Sequence, residues 1–285
     1  MAWSLQRLPA LSEVQFVRWS KLLEERTGIQ LAHSQRTLIE SQLSIRMREL
    51  GFDDYDDYYQ QVCQGVSGQL EWSVLIDRIA IKETSFFRHR PSLELVRRYL
   101  QQKINNRRLD GSFDVWSVGC STGEECWSLA MVVNDCFELA SLEPYYGITG
   151  LDISLSALAK ARQAQYPERK LVSVKADEMQ RYLKITSDGR FDVASKLRDR
   201  VCFSHANIIK PGSLPGMKVD VIFCQNVLVY FKRWLRRDIL NIFAERLKPG
   251  GLLVIGTGEV TDWEHPGMRR LVRDDVQAYL RDGQE

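Results

Sequence analysis

Five short stretches carry side chains able to do chemistry. The first, Gly119-Cys120-Ser121-Thr122-Gly123-Glu124-Glu125, is a run of small residues ending in two acids. Small residues let a backbone approach a ligand, and a helix opening here would offer free N–H groups. The pattern is not GxGxxG, because Ser stands at 121 and Glu at 124. Two carboxylates repel a pyrophosphate and attract a cationic amine or sulfonium, which disfavours a dinucleotide. The same acids in a first helical turn also complement the helix dipole, so capping explains them equally well. The second stretch ends at Asp152, where a carboxylate can accept both hydroxyls of a ribose. It could instead cap the next helix, a task open to Ser154 as well. The third is His205-Ala206-Asn207-Ile208-Ile209, a loop position suited to a base for Asn207. The fourth, Cys224-Gln225-Asn226-Val227-Leu228-Val229-Tyr230, follows an apolar run and would bring Asn226 and Tyr230 out at the floor and rim of a pocket. Taken alone, Tyr230 reads equally as a half-buried aromatic. The fifth, Lys82-Glu83-Thr84-Ser85-Phe86-Phe87-Arg88-His89-Arg90-Pro91, has two aromatics and a flanking arginine. It could fold over a pocket or form a domain hinge.

The elements that must position these residues fall into two grammars. The first 80 or so residues read as helices with no strand alternation. Ser12 and Glu13 open a helix carrying Val14, Val17, Leu22 and Leu23, and Gly28 closes it. A second helix runs from about Ser34 to Leu50 with Leu38, Ile39, Leu43, Met47 and Leu50 as its buried stripe. A third covers roughly Tyr55 to Cys63. A fourth starts near Gln69 and carries Leu70, Val74, Leu75 and Ile79. From Phe113 on, strands alternate with helices. Strands are expected at Phe113 to Gly119, Tyr146 to Asp152, Val219 to Phe223 and Leu252 to Ile255. Helices are expected from Gly123 to about Phe137, from Leu155 to Gln165, and along the stripe Leu235, Ile239, Phe243 and Leu247. Such alternation builds a mainly parallel, doubly wound sheet, whose ligands sit outside the carboxyl ends of the strands. Tyr182 to Val193, turning at Asp188-Gly189, reads as a hairpin inserted on that domain.

Composition narrows the class. The chain has 285 residues, 44% hydrophobic and 27% charged, with a net charge of +2. That is ordinary for a globular protein and argues against one that coats nucleic acid. The apolar runs are strand-length, far short of the roughly 20 residues that span a bilayer. The first residues lack a signal-peptide core, so a cytoplasmic location is expected. Cys63, Cys120, Cys126, Cys136, Cys202 and Cys224 form no CxxC pair and have no histidine at zinc spacing. They read as buried or inert thiols in a reducing compartment, and no metal centre is expected.

IKETSFFRHRP, VWSVGCSTGEECWSLA, GLDIS, FSHANI, and VIFCQNVLVYF followed by LKPGGLLVIGTGE occur in this order. Together they resemble the CheR family of chemoreceptor glutamate methyltransferases, with a further likeness to its pilus-linked (PilK-type) branch. The helical stretch TGIQLAHSQRTLIESQLSIRMRELGF resembles that family's N-terminal domain, so the likeness spans nearly the whole chain. It implies an α/β fold: a Rossmann-like doubly wound methyltransferase sheet with a small antiparallel insertion, preceded by an all-α domain. The expected division is a docking domain over residues 1–80 and a linker and pocket-covering segment over 81–112. The methyltransferase domain then spans 113–285, with the insertion at about 180–202.

The resemblance further implies an S-adenosylmethionine site. Thr84 and Arg88 would contact the cofactor or the substrate carboxylate, and Glu124 or Glu125 the methionine end. Asp152 would hold the ribose, and Asn207 with Ile208 the adenine. Gly119, Gln225 and Asn226 would line the site, and Tyr230 would lie beside the transferred methyl. Lys82 and Gln225 depart from the family, which often has Asn and Arg there. The implied reaction is methyl-ester formation on glutamates of the cytoplasmic domain of a chemoreceptor, by a monomer that uses neither nucleic acid nor membrane insertion. Arg88 would clamp the carboxylate and Tyr230 orient it, with no general base. In the family a basic second helix meets the receptor; here it offers Arg36, Arg46 and Arg48, which share no tight stripe and read equally as a solvated surface.

Overall fold

The computed structural model describes residues 9–80, 83–109 and 111–283. Residues 9–80 with 230–232 form one compact unit, and the remaining described residues form a second.

Among its described residues the first unit has four α-helices: α1 (Glu13–Thr27), α2 (Arg36–Leu50), α3 (Tyr55–Cys63) and α4 (Gly65–Ile79). Ser12 caps α1 through a reciprocal bond pair with Gln15, and Gly28 ends it in the left-handed region. Phe16, Trp19, Leu22, Leu23, Ile39, Leu43, Met47, Tyr58 and Leu75 fill the core. Val14, Val17, Leu38, Leu50, Leu70 and Val74, expected on buried stripes, are exposed instead. In α1 the wider rings of Phe16 and Trp19 remove more apolar area from water than two valines, and they claim the inner face. Helix α4 begins at Gly65 rather than near Gln69. Arg46 lies within the unit: its Nε and a terminal nitrogen bond both oxygens of Glu71 at 2.7 and 2.6 Å, and the Tyr58 hydroxyl donates to the same carboxylate. Arg36 reaches Glu13 at 2.8 Å. Residues 230–232 join this unit through a Tyr230 carbonyl bond from Gln30 N (2.8 Å), an Ile29–Phe231 bridge and a Lys232–Glu24 ion pair.

The second unit begins with α5 (Arg90–Asn105) and continues β1 (Phe113–Val118), α6 (Glu124–Leu139), β2 (Tyr146–Asp152) and α7 (Leu155–Gln163). The insertion follows as β3 (Gln165–Pro167), α8 (Ala176–Tyr182), β4 (Leu183–Ile185), β5 (Arg190–Val193) and α9 (Ser195–Arg198). The chain returns as β6 (Val201–His205), β7 (Val219–Cys224), α10 (Arg233–Arg246), β8 (Leu247–Ile255), β9 (Met268–Leu271) and β10 (Gln277–Arg281). The sheet order is β6-β2-β1-β7-β8-β10-β9. The first five strands are mutually parallel, and β10 runs antiparallel to both its neighbours. The order reverses between β1 and β7, the switch point where such sheets open a crevice. The insertion is a three-stranded antiparallel sheet, β3-β5-β4. It starts earlier than the hairpin alone would, because the chain leaves α7 at Ala164 in a left-handed turn and enters β3 at once.

Helix α6 is buried along most of its length, since sheet, α5 and insertion all cover it. At the foot of the sheet, Asp220 of the otherwise apolar β7 accepts from Lys103 Nζ (2.9 Å), Lys248 Nζ (2.7 Å) and the Asp114 N–H (3.0 Å). These partners hold its carboxyl below the usual range against the opposing effect of burial. Cys63 and Cys202 are exposed and the other four cysteines buried; burial pushes the Cys136 thiol up to about 11. No helix among the described residues is long and apolar enough to cross a membrane.

Candidate active site

Four of the five sequence stretches open above the carboxyl ends of β1, β2, β6 and β7. The loop after β1 turns on Gly119 and Gly123, both at positive φ. A side chain at Gly119 would meet Val227 Cγ2 at 2.3 Å, so the glycine lets the loops after β1 and β7 close on each other. Ser121 N donates to Asp152 Oδ2 at 2.8 Å, which ties this loop to the end of β2. The other oxygen, Oδ1, accepts from Ser154 N at 2.8 Å. Ser154, not Asp152, caps α7, by accepting from Ala157 N. Asp152 is thus a carboxylate oriented by two backbone amides at the mouth of the crevice.

The two acids opening α6 have different surroundings. Glu124 is sealed from solvent, accepts from Thr122 Oγ1 at 2.6 Å, and has Lys170 Nζ 3.1 Å away. Glu125 lies deep in the domain yet keeps a solvent-facing edge; it accepts from Ser117 Oγ, on β1, at 2.7 Å. Burial pushes its carboxyl up to about 8; Ser117 and Arg88 pull it down, and Glu259 pushes it further up.

Arg88 is exposed on the segment before α5 and donates to the Glu83 carbonyl at 2.9 Å. Phe86 and Phe87 below it are buried, and Phe87, at positive φ, is held by an N–H bond to Ser128 Oγ (2.9 Å). Residues 83–89 are therefore a strap anchored by its aromatics, with its arginine left facing solvent. Lys82 lies outside the described residues, and Thr84 lends its carbonyl to Lys170 at 2.8 Å.

After β7, Gln225 bonds Ser92 Oγ (2.9 Å) and the Ile255 carbonyl (3.0 Å), so its amide fastens β7 to α5 and β8. Asn226 is exposed at φ +59, a conformation Asn tolerates better than most residues. Asn207 turns its own loop, its Oδ1 accepting from Ile209 N at 3.3 Å; Ile208 beside it is half-buried. Gly119, Asn207, Ile208, Gln225 and Asn226 thus stand on the loops after β1, β6 and β7, with Asp152 at the end of β2 and Glu125 in the first turn of α6. Tyr230 belongs to the helical unit.

Sequence reasoning missed Ser117, Lys170, Tyr166 and Glu259. Ser117 was visible only as a strand residue. Glu259 accepts from Gly256 N at 2.9 Å, closing the turn after β8, and burial is the main cause that pushes its carboxyl up. Its signal was the acid ending GTGE, directly after a buried strand.

This donor set fits S-adenosylmethionine. The Ser121 hydroxyl is buried in the loop with no protein partner, and Glu125 is an acid that a cationic ligand would return to its ionised form. Asp152 is a fixed acceptor for hydroxyls.

Two family models cover the chain: a CheR methyltransferase all-alpha domain over residues 15–80 and a CheR methyltransferase SAM binding domain over residues 82–277. A chemotaxis protein methyltransferase of Salmonella typhimurium is 33% identical over 258 residues, covering 89% of this chain and 86% of that one. One from Klebsiella aerogenes is 34% identical over 263 residues, covering 91% and 87%, and one from Borreliella burgdorferi 30% identical over 245 residues, covering 85% and 86%. The sheet topology, the cofactor crevice and these likenesses agree: the chain belongs to the CheR family of S-adenosylmethionine-dependent methyltransferases.

Proposed function

We propose that the protein methylates glutamate side chains of a chemoreceptor-type signalling protein in the cytoplasm, giving methyl esters. One observation carries this reading. Glu125, in the first turn of α6 after β1, and Asp152, at the end of β2, stand at the carboxyl ends of adjacent strands, and the positive charge of the exposed Arg88 on the strap pulls the Glu125 carboxyl down against its burial. The two acids suit a cationic nucleoside, and the arginine suits an anionic acceptor. The names of the curated relatives, chemotaxis protein methyltransferases, support a receptor substrate.

When bound, S-adenosylmethionine supplies a sulfonium methyl that is electrophilic as it stands. A glutamate carboxylate, with a pKa of about 4.3, is ionised at neutral pH and needs no base. The chain's work is therefore positioning and drying. Glu125 binds the ammonium end, Asp152 the ribose, and Asn207 with Ile208 and Asn226 the base side. Thr84 and Arg88 hold the carboxylate, and the buried aromatics of the strap keep water from beneath it. Gln225 acts by fixing the end of β7. The family resemblance gives Tyr230 an orienting hydroxyl, which a Tyr230→Phe variant tests. The helical unit is the proposed dock. Arg46 is spent on Glu71 and Arg36 on Glu13 inside that unit, so a charged contact would fall to the exposed Arg48.

The test is transfer of labelled methyl to receptor cytoplasmic domains, followed by mild base. Methanol release marks a carboxyl ester; label that survives base marks another nucleophile and refutes the reading. Arg88→Ala is expected to bind S-adenosylhomocysteine much as wild type does while losing transfer. Full transfer by that variant would remove the clamp.

A further inference from the structure

Lys170 ends the one-turn helix Glu168–Lys170, which lies in the insertion between β3 and α8. Its ammonium sits 3.1 Å from Glu124 Oε1 and donates to the Thr84 carbonyl at 2.8 Å. One cation thus joins three parts of the unit: the insertion, the first turn of α6 and the strap bearing Arg88. Neighbouring contacts repeat the pattern. The Tyr166 hydroxyl, on β3, donates to the Thr122 carbonyl at 2.6 Å and accepts from Trp127 Nε1 at 2.8 Å. The Tyr166 ring meets Phe86 edge-on at 5.0 Å. Arg90 bonds both oxygens of Glu178, on α8, at 2.9 Å and lies over the Phe87 ring at 4.1 Å. The insertion therefore grips the strap and the loop after β1 from one side.

Glu124 gives these contacts their weight. A solvated ion pair contributes little, but a sealed carboxylate that loses its cation is left as an unpaired buried charge. We infer that Lys170 is a positioning residue for the methyl-donor pocket. By neutralising Glu124 and holding the Thr84 carbonyl, it fixes the strap that carries Arg88 and leaves Glu125, rather than Glu124, to meet the ligand's ammonium. The insertion is then part of the cofactor site's frame, and whatever moves the insertion moves the strap. The inference rests on the S-adenosylmethionine crevice described above.

The test uses the full chain and two readouts other than turnover: amide exchange over residues 83–89 without ligand, and calorimetric titration with S-adenosylhomocysteine. In Lys170→Met, exchange should quicken and affinity weaken, each by about tenfold, as expected for groups sharing one network. Lys170→Arg should keep both near wild type. In a Glu124→Gln background, where no buried charge is left unpaired, Lys170→Met should cost clearly less affinity. A purely structural lysine would lower the melting temperature without a change confined to residues 83–89. If Lys170→Met does not fold, Glu124→Gln and Lys170→Met/Glu124→Gln are compared instead, and equal exchange at 83–89 overturns the role. Lys170→Met that folds and matches wild type in both readouts also overturns it. Wild-type protein that does not bind S-adenosylhomocysteine refutes the crevice instead.

Discussion

Glu125 makes cofactor binding depend on pH in a direction that can be worked out. Its carboxyl in the free protein titrates near 8, well above the ordinary range, with burial the main cause. At neutral pH about nine-tenths of the molecules therefore hold a proton there. A ligand ammonium favours the ionised form, so binding must eject that proton. Affinity then rises with pH below 8 by up to about tenfold per unit and flattens above it. Between roughly pH 6 and pH 7.5 the expected gain is about twentyfold for S-adenosylhomocysteine. Titration calorimetry in two buffers of different ionisation enthalpy reads both quantities, the affinity and the protons released. Glu125→Gln should bind more weakly and lose both the slope and the release. The same proton bears on stability with opposite sign. Between the ordinary carboxyl pKa and about 8 the folded chain holds a proton that the unfolded chain has lost, so stability falls as pH rises through that window. Glu125→Gln without ligand should therefore melt higher than wild type at the alkaline end. A flat affinity with no proton released would refute the argument.

Asp152→Ala should abolish S-adenosylhomocysteine binding by calorimetry while the far-UV spectrum stays native; unchanged affinity would dismiss the ribose assignment. Gly119→Ala places a methyl against Val227 at a positive φ, so urea unfolding should show a loss of about 1–3 kcal/mol, recovered only in part by adding Val227→Ala. Asp220 has a lowered carboxyl pKa, so its contribution is present above the ordinary value and lost as pH falls through the lowered one. Asp220→Asn should cost about 3–5 kcal/mol at neutral pH and flatten the acid limb of the stability curve. A melting curve that matches wild type in acid and at neutral pH would contradict this.

The readable parts of the molecule were those governed by local chemistry. Ser12 and Gly28 mark both ends of α1 because capping and left-handed turns depend on a few neighbouring residues. The loops holding Gly119, Asp152 and Asn226 follow apolar runs, and strand ends in such a sheet are where ligands gather. Ser154 was one of two candidate caps for α7, and its capping leaves Asp152 to the loop after β1. What escaped was set by distance or competition. Lys170 lies 86 positions from the Thr84 carbonyl it holds, and no local pattern encodes that meeting. Val14 and Val17 fit the α1 stripe as well as Phe16 and Trp19 do, and only packing separates the two faces. Strand β9 reads Met-Arg-Arg-Leu, polar because it is an edge strand, and was invisible to a search for apolar runs.

Strand β7 consists of apolar side chains apart from one acid, and a run of similar residues says little about how far it should slide between its neighbours. Asp220 supplies the index mark. A slip of two positions, about 6.6 Å, would bring the carboxylate level with oily partners and strand both lysines. Only one alignment satisfies the acid at the lower end of the strand. That alignment fixes, five and six residues further on, the height at which Gln225 and Asn226 emerge beside Gly119. The geometry of the ligand pocket is thus calibrated from the opposite rim of the sheet.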